Sequence, residues 1–226
     1  MADRAFKEQL YAQFARIGAA LASERRLELI DLLAQAPRHV EALAAEMDLP
    51  IANTSQHLRA LHAARLVESE RQGTKVVYRL ADESVLRLWL ALRTAAERRL
   101  TEVAAIVREF DGDAPAERLG RADLARGLGG RRSVVLDVRP EIEYADGHLP
   151  GAINIPIEAL AKKAGGLPKD KRIVVYCRGT YCRFADRALK ILLARGFDAV
   201  ALDGGWQEWR AEERPAATTA GQTKSA

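Results

Sequence analysis

The sequence predicts two domains of unlike class, a mainly-α winged helix-turn-helix followed by an α/β unit built on an open parallel sheet. Three observations carry this. Helical periodicity dominates as far as Phe110; beyond it, short Val/Ile-rich runs alternate with helical patterns; and Asp111-Gly112-Asp113-Ala114-Pro115 groups the breaker residues that divide the two. The expected boundaries are 1–112 for the first domain, 113–116 for a linker, 117–213 for the second domain and 214–226 for a disordered tail of Ala, Thr, Gln and Ser. At 226 residues and 48% hydrophobic content the chain can build two cores.

Phe6, Leu10, Phe14, Ile17 and Leu21 recur at helical spacing and predict an N-terminal amphipathic helix. Further helical segments follow at Leu27–Leu33 and His39–Met47. Leu43–Pro50 reads as a helix closing in a tight turn, and the next helix turns Leu58 and Leu61 inward. Its outer, N-terminal face presents Asn53, Thr54, Ser55, Gln56 and Arg59, whose short polar and long basic side chains suit base edges and phosphates. Val67–Glu70 and Val76–Leu80 flank Arg71-Gln72-Gly73-Thr74-Lys75, a hairpin with Gly at its tip and with Arg71 and Lys75 placing charge on the wing. Val85, Leu88, Leu92, Val103, Val107 and Phe110 form a stripe expected to run along one helix of roughly 28 residues, about 42 Å at 1.5 Å per residue. So long a stripe predicts a homodimer in which partner helices cover it.

From about Ala20 to Leu100 the segment resembles the ArsR family of winged-helix dimeric regulators, with Ser55-Gln56-His57-Leu58-Arg59-Ala60-Leu61 matching the recognition-helix pattern. The resemblance implies an operator of double-stranded DNA as partner. His57 reads equally as a phosphate contact or as a residue half-buried under the wing. The family's metal-sensing signatures are missing here: Pro37–Leu43 holds no thiol and Glu83–Phe110 no His, while His39 and His62 stand isolated. No metal and no cofactor are expected.

In the second domain Val134–Arg139, Ile173–Tyr176 and Ala199–Leu202 are three apolar strands of a parallel sheet, and ligands of such sheets bind beyond the carboxyl ends of strands. Cys177 is at that position. Both cysteines of the chain, Cys177 and Cys182, stand in Cys177-Arg178-Gly179-Thr180-Tyr181-Cys182-Arg183, ahead of the helical pattern Phe184–Ala194. Two thiols this close in sequence read as reactive chemistry rather than a structural staple. Backbone N–H groups and a positive helix end aimed at Cys177 predict a thiolate and hold anions nearby. Gly179 is expected to permit the curvature of the loop, and Arg178 and Arg183 to attract an oxyanion or polysulfide, so that Arg178, Gly179, Thr180, Tyr181 and Arg183 are the substrate-contact candidates.

From Glu117 to Glu213 the chain resembles a rhodanese domain, on Leu136-Asp137-Val138-Arg139, Glu143-Tyr144, Gly147-His148-Leu149-Pro150-Gly151-Ala152-Ile153-Asn154, the Cys177 loop, and Leu202-Asp203-Gly204-Gly205-Trp206 with Trp209. The resemblance implies that Cys177 accepts sulfur as a persulfide, with Asp137, Arg139 and His148 as scaffold. The loop departs from the family: Gly stands at the second position after the Cys, and the Cys-x5-Arg spacing is also similar to the phosphatase and arsenate-reductase branch of the fold. Cys182 reads either as a thiol that attacks the Cys177 persulfide to give a disulfide, or as a small residue packed at the helix start.

Formal net charge is +4, with 35 basic and 31 acidic residues, too small a surplus to argue for nucleic acid by itself. The absence of a long apolar run or signal-like start predicts a cytoplasmic protein without a membrane partner. Together these point to a DNA-binding regulator, expected to repress, that senses reactive sulfur donors such as thiosulfate or polysulfide through Cys177 and Cys182. Two alternatives stay open: a sulfurtransferase carrying a regulatory DNA-binding domain, and an arsenate or phosphatase-type site.

Overall fold

The fold is taken from a computed structural model in which residues 2–111, 117–127 and 133–218 are described. The expected linker at 113–116, the end of the expected tail at 219–226 and the side chain of Phe110 lie outside the described residues. The chain divides into two compact units, Met1–Arg93 and Thr94–Ala226.

In the first unit, helices α1 (Ala2–Leu21) and α2 (Glu24–Leu33) precede a two-residue strand β1 (Arg38–His39), then α3 (Val40–Glu46) and α4 (Ile51–Ala63). Leu29, Ile30, Leu32 and Leu33 of α2 are buried and pack the centre. His39, expected as an isolated residue, caps α3 by accepting the backbone N–H of Ala42 at Nδ1, 3.1 Å away. Between α3 and α4 the chain reverses through Asp48 at φ 51°, a left-handed position that Asp tolerates, and the Leu49 N–H returns to the Ala44 carbonyl at 2.9 Å. Strands β2 (Val67–Gln72) and β3 (Lys75–Leu80) pair antiparallel, Gln72 opposite Lys75, across a two-residue turn in which Gly73 sits at φ 63°. β1 joins the far edge of β3, so the order is β1-β3-β2.

Helix α5 (Glu83–Arg99) begins under a cap from Asp82 and buries Val85 and Leu86; Trp89 donates its indole N–H to Asp31 at 3.0 Å. The single helix expected to carry the stripe on to Phe110 is instead two, because α5 ends at Arg99 and α6 spans Thr101–Asp111. The charges suit the break. Arg98 and Arg99 fall in the last turn of α5 and Glu102 in the first turn of α6, each favourable at a helix end and none of them required in an uninterrupted helix.

The second unit is a five-stranded, all-parallel sheet of order β4-β8-β7-β5-β6, comprising β4 (Arg118–Leu119), β5 (Ser133–Asp137), β6 (Ile153–Asn154), β7 (Arg172–Tyr176) and β8 (Ala199–Leu202). Helices α7 (Arg121–Gly127), α8 (Glu141–Asp146), α9 (Ile157–Lys163), α10 (Phe184–Leu193) and α11 (Trp206–Ala211) cover it. The three expected strands form the centre, and the two unforeseen edge strands are only two residues each, too short to leave a period in sequence. Successive residues of β7, and Cys177 just beyond its end, serve opposite faces. Ile173, Val175 and Cys177 join the core under α9 and α10, whereas Val174 and Tyr176 join the one holding Leu124, Trp206 and Trp209. The segment expected to be a tail from Arg214 is docked at its start: Trp209 donates to the Pro215 carbonyl at 2.8 Å, and His148 and Ala217 exchange two backbone hydrogen bonds of 2.9 Å.

Candidate functional site

β7 ends on Tyr176, and the loop that follows carries the cysteines across the carboxyl edge of the sheet into α10. Asp137, Arg139 and Tyr176 are all fully buried beneath it. Arg139 donates from Nη2 to Asp137 Oδ2 at 2.6 Å and to the Gly147 carbonyl at 2.8 Å; Tyr176 donates its hydroxyl to Asp137 at 2.5 Å and accepts the Leu149 N–H at 3.1 Å. Burial opposes the Arg139 charge, but Asp137, with Tyr176 and Glu143 adding, holds the guanidinium above its ordinary pKa. His148 is buried, stacks on Tyr144 with ring centroids 3.7 Å apart, and places Nδ1 2.7 Å from the Tyr144 carbonyl.

Cys177 is 1% exposed. Its thiol donates to the Cys182 carbonyl at 3.2 Å, and its sulfur is 3.9 Å from the Gly179 carbonyl. The expected thiolate is therefore a buried thiol: burial pushes the Cys177 pKa well up, with the hydrogen bond and charge of Cys182 acting in the same direction, and the backbone N–H groups of Ala185 and Gly179 only oppose this. Cys182 is half-buried, and the neighbouring Cys177 side chain lowers its pKa, against burial and with help from the backbone at Phe184 and Arg178.

Arg178, expected to attract an anion, instead makes a two-pronged ion pair with the fully buried Glu143, its Nη2 2.6 Å and its Nε 3.1 Å from the carboxylate oxygens. Thr180 gives both its N–H (3.3 Å) and its hydroxyl (3.0 Å) to Glu208 Oε1, while Glu208 Oε2 accepts the Gly205 N–H at 2.8 Å. This carboxylate therefore holds the loop closed against the start of α11. Gly179 does not take a left-handed φ, and a Cβ there would come within 3.2 Å of Glu208 Oε1. Tyr181 is exposed and donates to Glu97 Oε1 at 2.8 Å, within the second unit. Arg183 is half-exposed, its Nε 3.6 Å from Asp186. A cavity of about 380 Å³ opens here, lined by Ile106 and Val107 of α6, Arg118, Asp203 and the loop residues Thr180, Tyr181 and Arg183.

Gly205 is the tightest point of the site. The Trp206 and Gln207 N–H groups bond the Cys177 and Arg178 carbonyls at 3.0 and 3.1 Å, and a Cβ on Gly205 would collide with the Cys177 carbonyl and lie 2.7 Å from the Gly179 nitrogen. Gly205→Ala is expected to cost about 1–3 kcal/mol, as overpacking does, and to dislodge the loop. Urea unfolding and the rate of Cys177 alkylation, which should rise, check this.

In the first unit Asn53, Gln56 and Arg59 are exposed on α4, and Ser55 and His57 half-exposed, on the face opposite buried Leu58 and Leu61. Thr54 departs from expectation: it is fully buried and donates its hydroxyl to the Pro50 carbonyl at 3.2 Å, so it stands inside rather than toward DNA. Arg71 and Lys75 are both exposed on the wing, Arg71 bonding the Gly73 carbonyl at 3.1 Å and Lys75 lying 3.5 Å from His39 Nε2.

The profile of the bacterial regulatory protein arsR family matches residues 23–69, and that of the rhodanese-like domain matches residues 121–212. The HTH-type transcriptional regulator Rv0324 of Mycobacterium tuberculosis is 43% identical over 204 residues, 90% of each chain. This chain belongs to the ArsR-type helix-turn-helix regulators that carry a rhodanese-like domain. A sulfurtransferase of Allochromatium vinosum is 27% identical over 46% of this chain and 91% of its own. The solution structure of the homodimeric winged helix-turn-helix DNA-binding domain Mb0332 from Mycobacterium bovis is 44% identical, covers 42% of this chain and 87% of that one, and has a TM-score of 0.40.

In this ArsR-type regulator, sequence reasoning missed Glu208 and the partner it makes for Thr180. The available signal was an acidic residue between Trp206 and Trp209, in a short helix whose neighbours are core. Glu143 stood among the rhodanese-like residues, but nothing in sequence joined it to Arg178, 35 positions away. No helix among the described residues is long and apolar enough to cross a membrane.

Proposed function

We propose that this ArsR-type regulator is a homodimeric repressor that leaves its operator when a sulfur donor such as polysulfide or thiosulfate modifies the Cys177 and Cys182 pair as a persulfide or disulfide. The observation that supports the reading is the hydrogen bond of the Cys177 thiol to the Cys182 backbone carbonyl, within a loop that holds both cysteines of the sequence, while the sequence of the DNA-binding unit has none. Operator contact falls to Asn53, Ser55, Gln56, His57 and Arg59 of α4 and to Arg71 and Lys75 of the wing. Dimerisation is supported by Phe6, Tyr11 and Phe14 on α1, which are 58–66% exposed in a single protomer, and by Leu88 and Leu92 on α5.

Helix α5 runs across the boundary between the two units in sequence. It carries buried Val85 and Leu86 at its start and Glu97, the acceptor of the Tyr181 hydroxyl, near its end. A change in the loop that moves Tyr181 bears directly on that helix.

Fluorescence anisotropy on a labelled fragment of the chain's own promoter tests the proposal. Reduced protein should bind tightly, lose at least tenfold in affinity after polysulfide, and recover with dithiothreitol. A Cys177→Ser/Cys182→Ser variant should bind the same fragment and ignore polysulfide. Wild-type binding indifferent to sulfur overturns the sensing role. Likeness to the Allochromatium vinosum sulfurtransferase supports a second reading, turnover, for which rapid thiocyanate formation from thiosulfate and cyanide is the required result.

A further inference from the structure

Strand register brings His39 and Lys75 together. His39 lies opposite Val77 in the β1–β3 pair, and Lys75, two residues before Val77, shares its face at the turn end of the wing. Lys75 Nζ is 3.5 Å from His39 Nε2. The other ring nitrogen decides what this contact is. Nδ1 accepts the Ala42 N–H at 3.1 Å, so it carries no proton, and the proton of the neutral ring stands on Nε2. Glu41 Oε2 is 3.1 Å from the same Nδ1 and finds no hydrogen there. Imidazole and ammonium therefore meet as two donors, which cannot bond each other but can share an acceptor.

We infer that His39 Nε2–H and Lys75 Nζ form a clamp for one oxygen of a DNA backbone phosphate. An oxygen about 2.9 Å from both nitrogens completes a triangle on the 3.5 Å base. An anionic oxygen suits the place, because the ammonium makes the bond charge-assisted, and the His39 side chain, 33% exposed, loses little water on contact. A phosphate diester is the fitting source. Lys75 closes the hairpin turn that also carries exposed Arg71, in the unit that holds the helix-turn-helix. Both donors are side chains, and the bond at Nδ1 fixes the direction of the ring before DNA arrives. The clamp reads no base, so it sets the register of the wing on the duplex rather than the sequence chosen. It rests on the operator contact proposed above and is independent of the sulfur chemistry.

His39→Asn isolates the donor. Asparagine keeps a side-chain oxygen for the Ala42 N–H, as a good N-cap does, but has no group at the position of Nε2. The full chain is titrated with its labelled promoter fragment at several salt concentrations, and phosphate contacts are mapped by ethylation interference. His39→Asn should unfold in urea at the wild-type midpoint, bind about tenfold more weakly, keep the wild-type salt slope and lose one interfering phosphate in each half-site. Lys75→Met should lose the same phosphate and lower the salt slope by about one for each protomer. The double variant should lose less than the two single losses combined. Wild-type affinity and footprint in His39→Asn, or weakened binding that keeps that phosphate, overturns the clamp and leaves operator binding standing. A wild type that fails to bind the fragment overturns both.

Discussion

Arg139→Met is expected to destabilise the rhodanese-like unit by about 3–5 kcal/mol, read as a lower midpoint of its urea transition. The methionine fills much of the volume, so the loss is electrostatic. Asp137, fully buried, would keep the Tyr176 hydroxyl and its own bond from the Arg139 backbone N–H but lose the guanidinium, leaving a carboxylate in a medium where water cannot reach it. The cation also lies 5.1 Å from the Trp206 ring and 5.5 Å from that of Tyr176, contacts that vanish with it. Adding Asp137→Asn removes the stranded charge, so the double variant should recover part of the loss and the two effects should not add.

Gln56→Ala and Arg59→Ala are each expected to weaken operator binding by about 1–3 kcal/mol if they contact base edges, and a homodimer would count each twice. The two residues stand three apart and exposed on α4, so they share one face of the helix. Arg59 is anchored by a bond from Nε to the Ser55 carbonyl at 3.3 Å, which shortens its reach and fixes where its other nitrogens point. Anisotropy titrations at several salt concentrations separate the roles. Loss of a base contact relaxes preference at one operator position, whereas loss of a phosphate contact lowers the salt slope by about one. Thr54→Ala should leave DNA contacts alone, because its hydroxyl bonds Pro50 inside the unit.

Elements whose side chains repeat with a clear period were legible: α2, α4, the wing hairpin and the three central strands stand where hydrophobic spacing puts them. Thr54 shows how a composition argument overrode that spacing. It is four residues before Leu58 and seven before Leu61, the buried stripe of the helix, and its polarity drew it to the wrong face. The break at Leu100 was hidden because the apolar stripe continues on both sides of it; only the charges at Arg98, Arg99 and Glu102 mark the ends. At the cysteine loop the residues themselves were legible and their partners were not. Arg178 pairs with Glu143 and Thr180 with Glu208, contacts spanning 35 and 28 positions that no local pattern encodes. Those same partners turned the anticipated anion cradle into a closed, largely satisfied loop.

The alternation of β7 between two cores has a consequence for how this site could be lost or moved. Ile173, Val175 and Cys177 fall on the odd positions, so the thiol's side of the sheet is a matter of parity. Any conservative exchange along the strand keeps the parity, whereas lengthening or shortening it by one residue sends the sulfur to the tryptophan side, away from α10 and Cys182. Within this strand the location of the chemistry tolerates drift in composition and does not tolerate change in count.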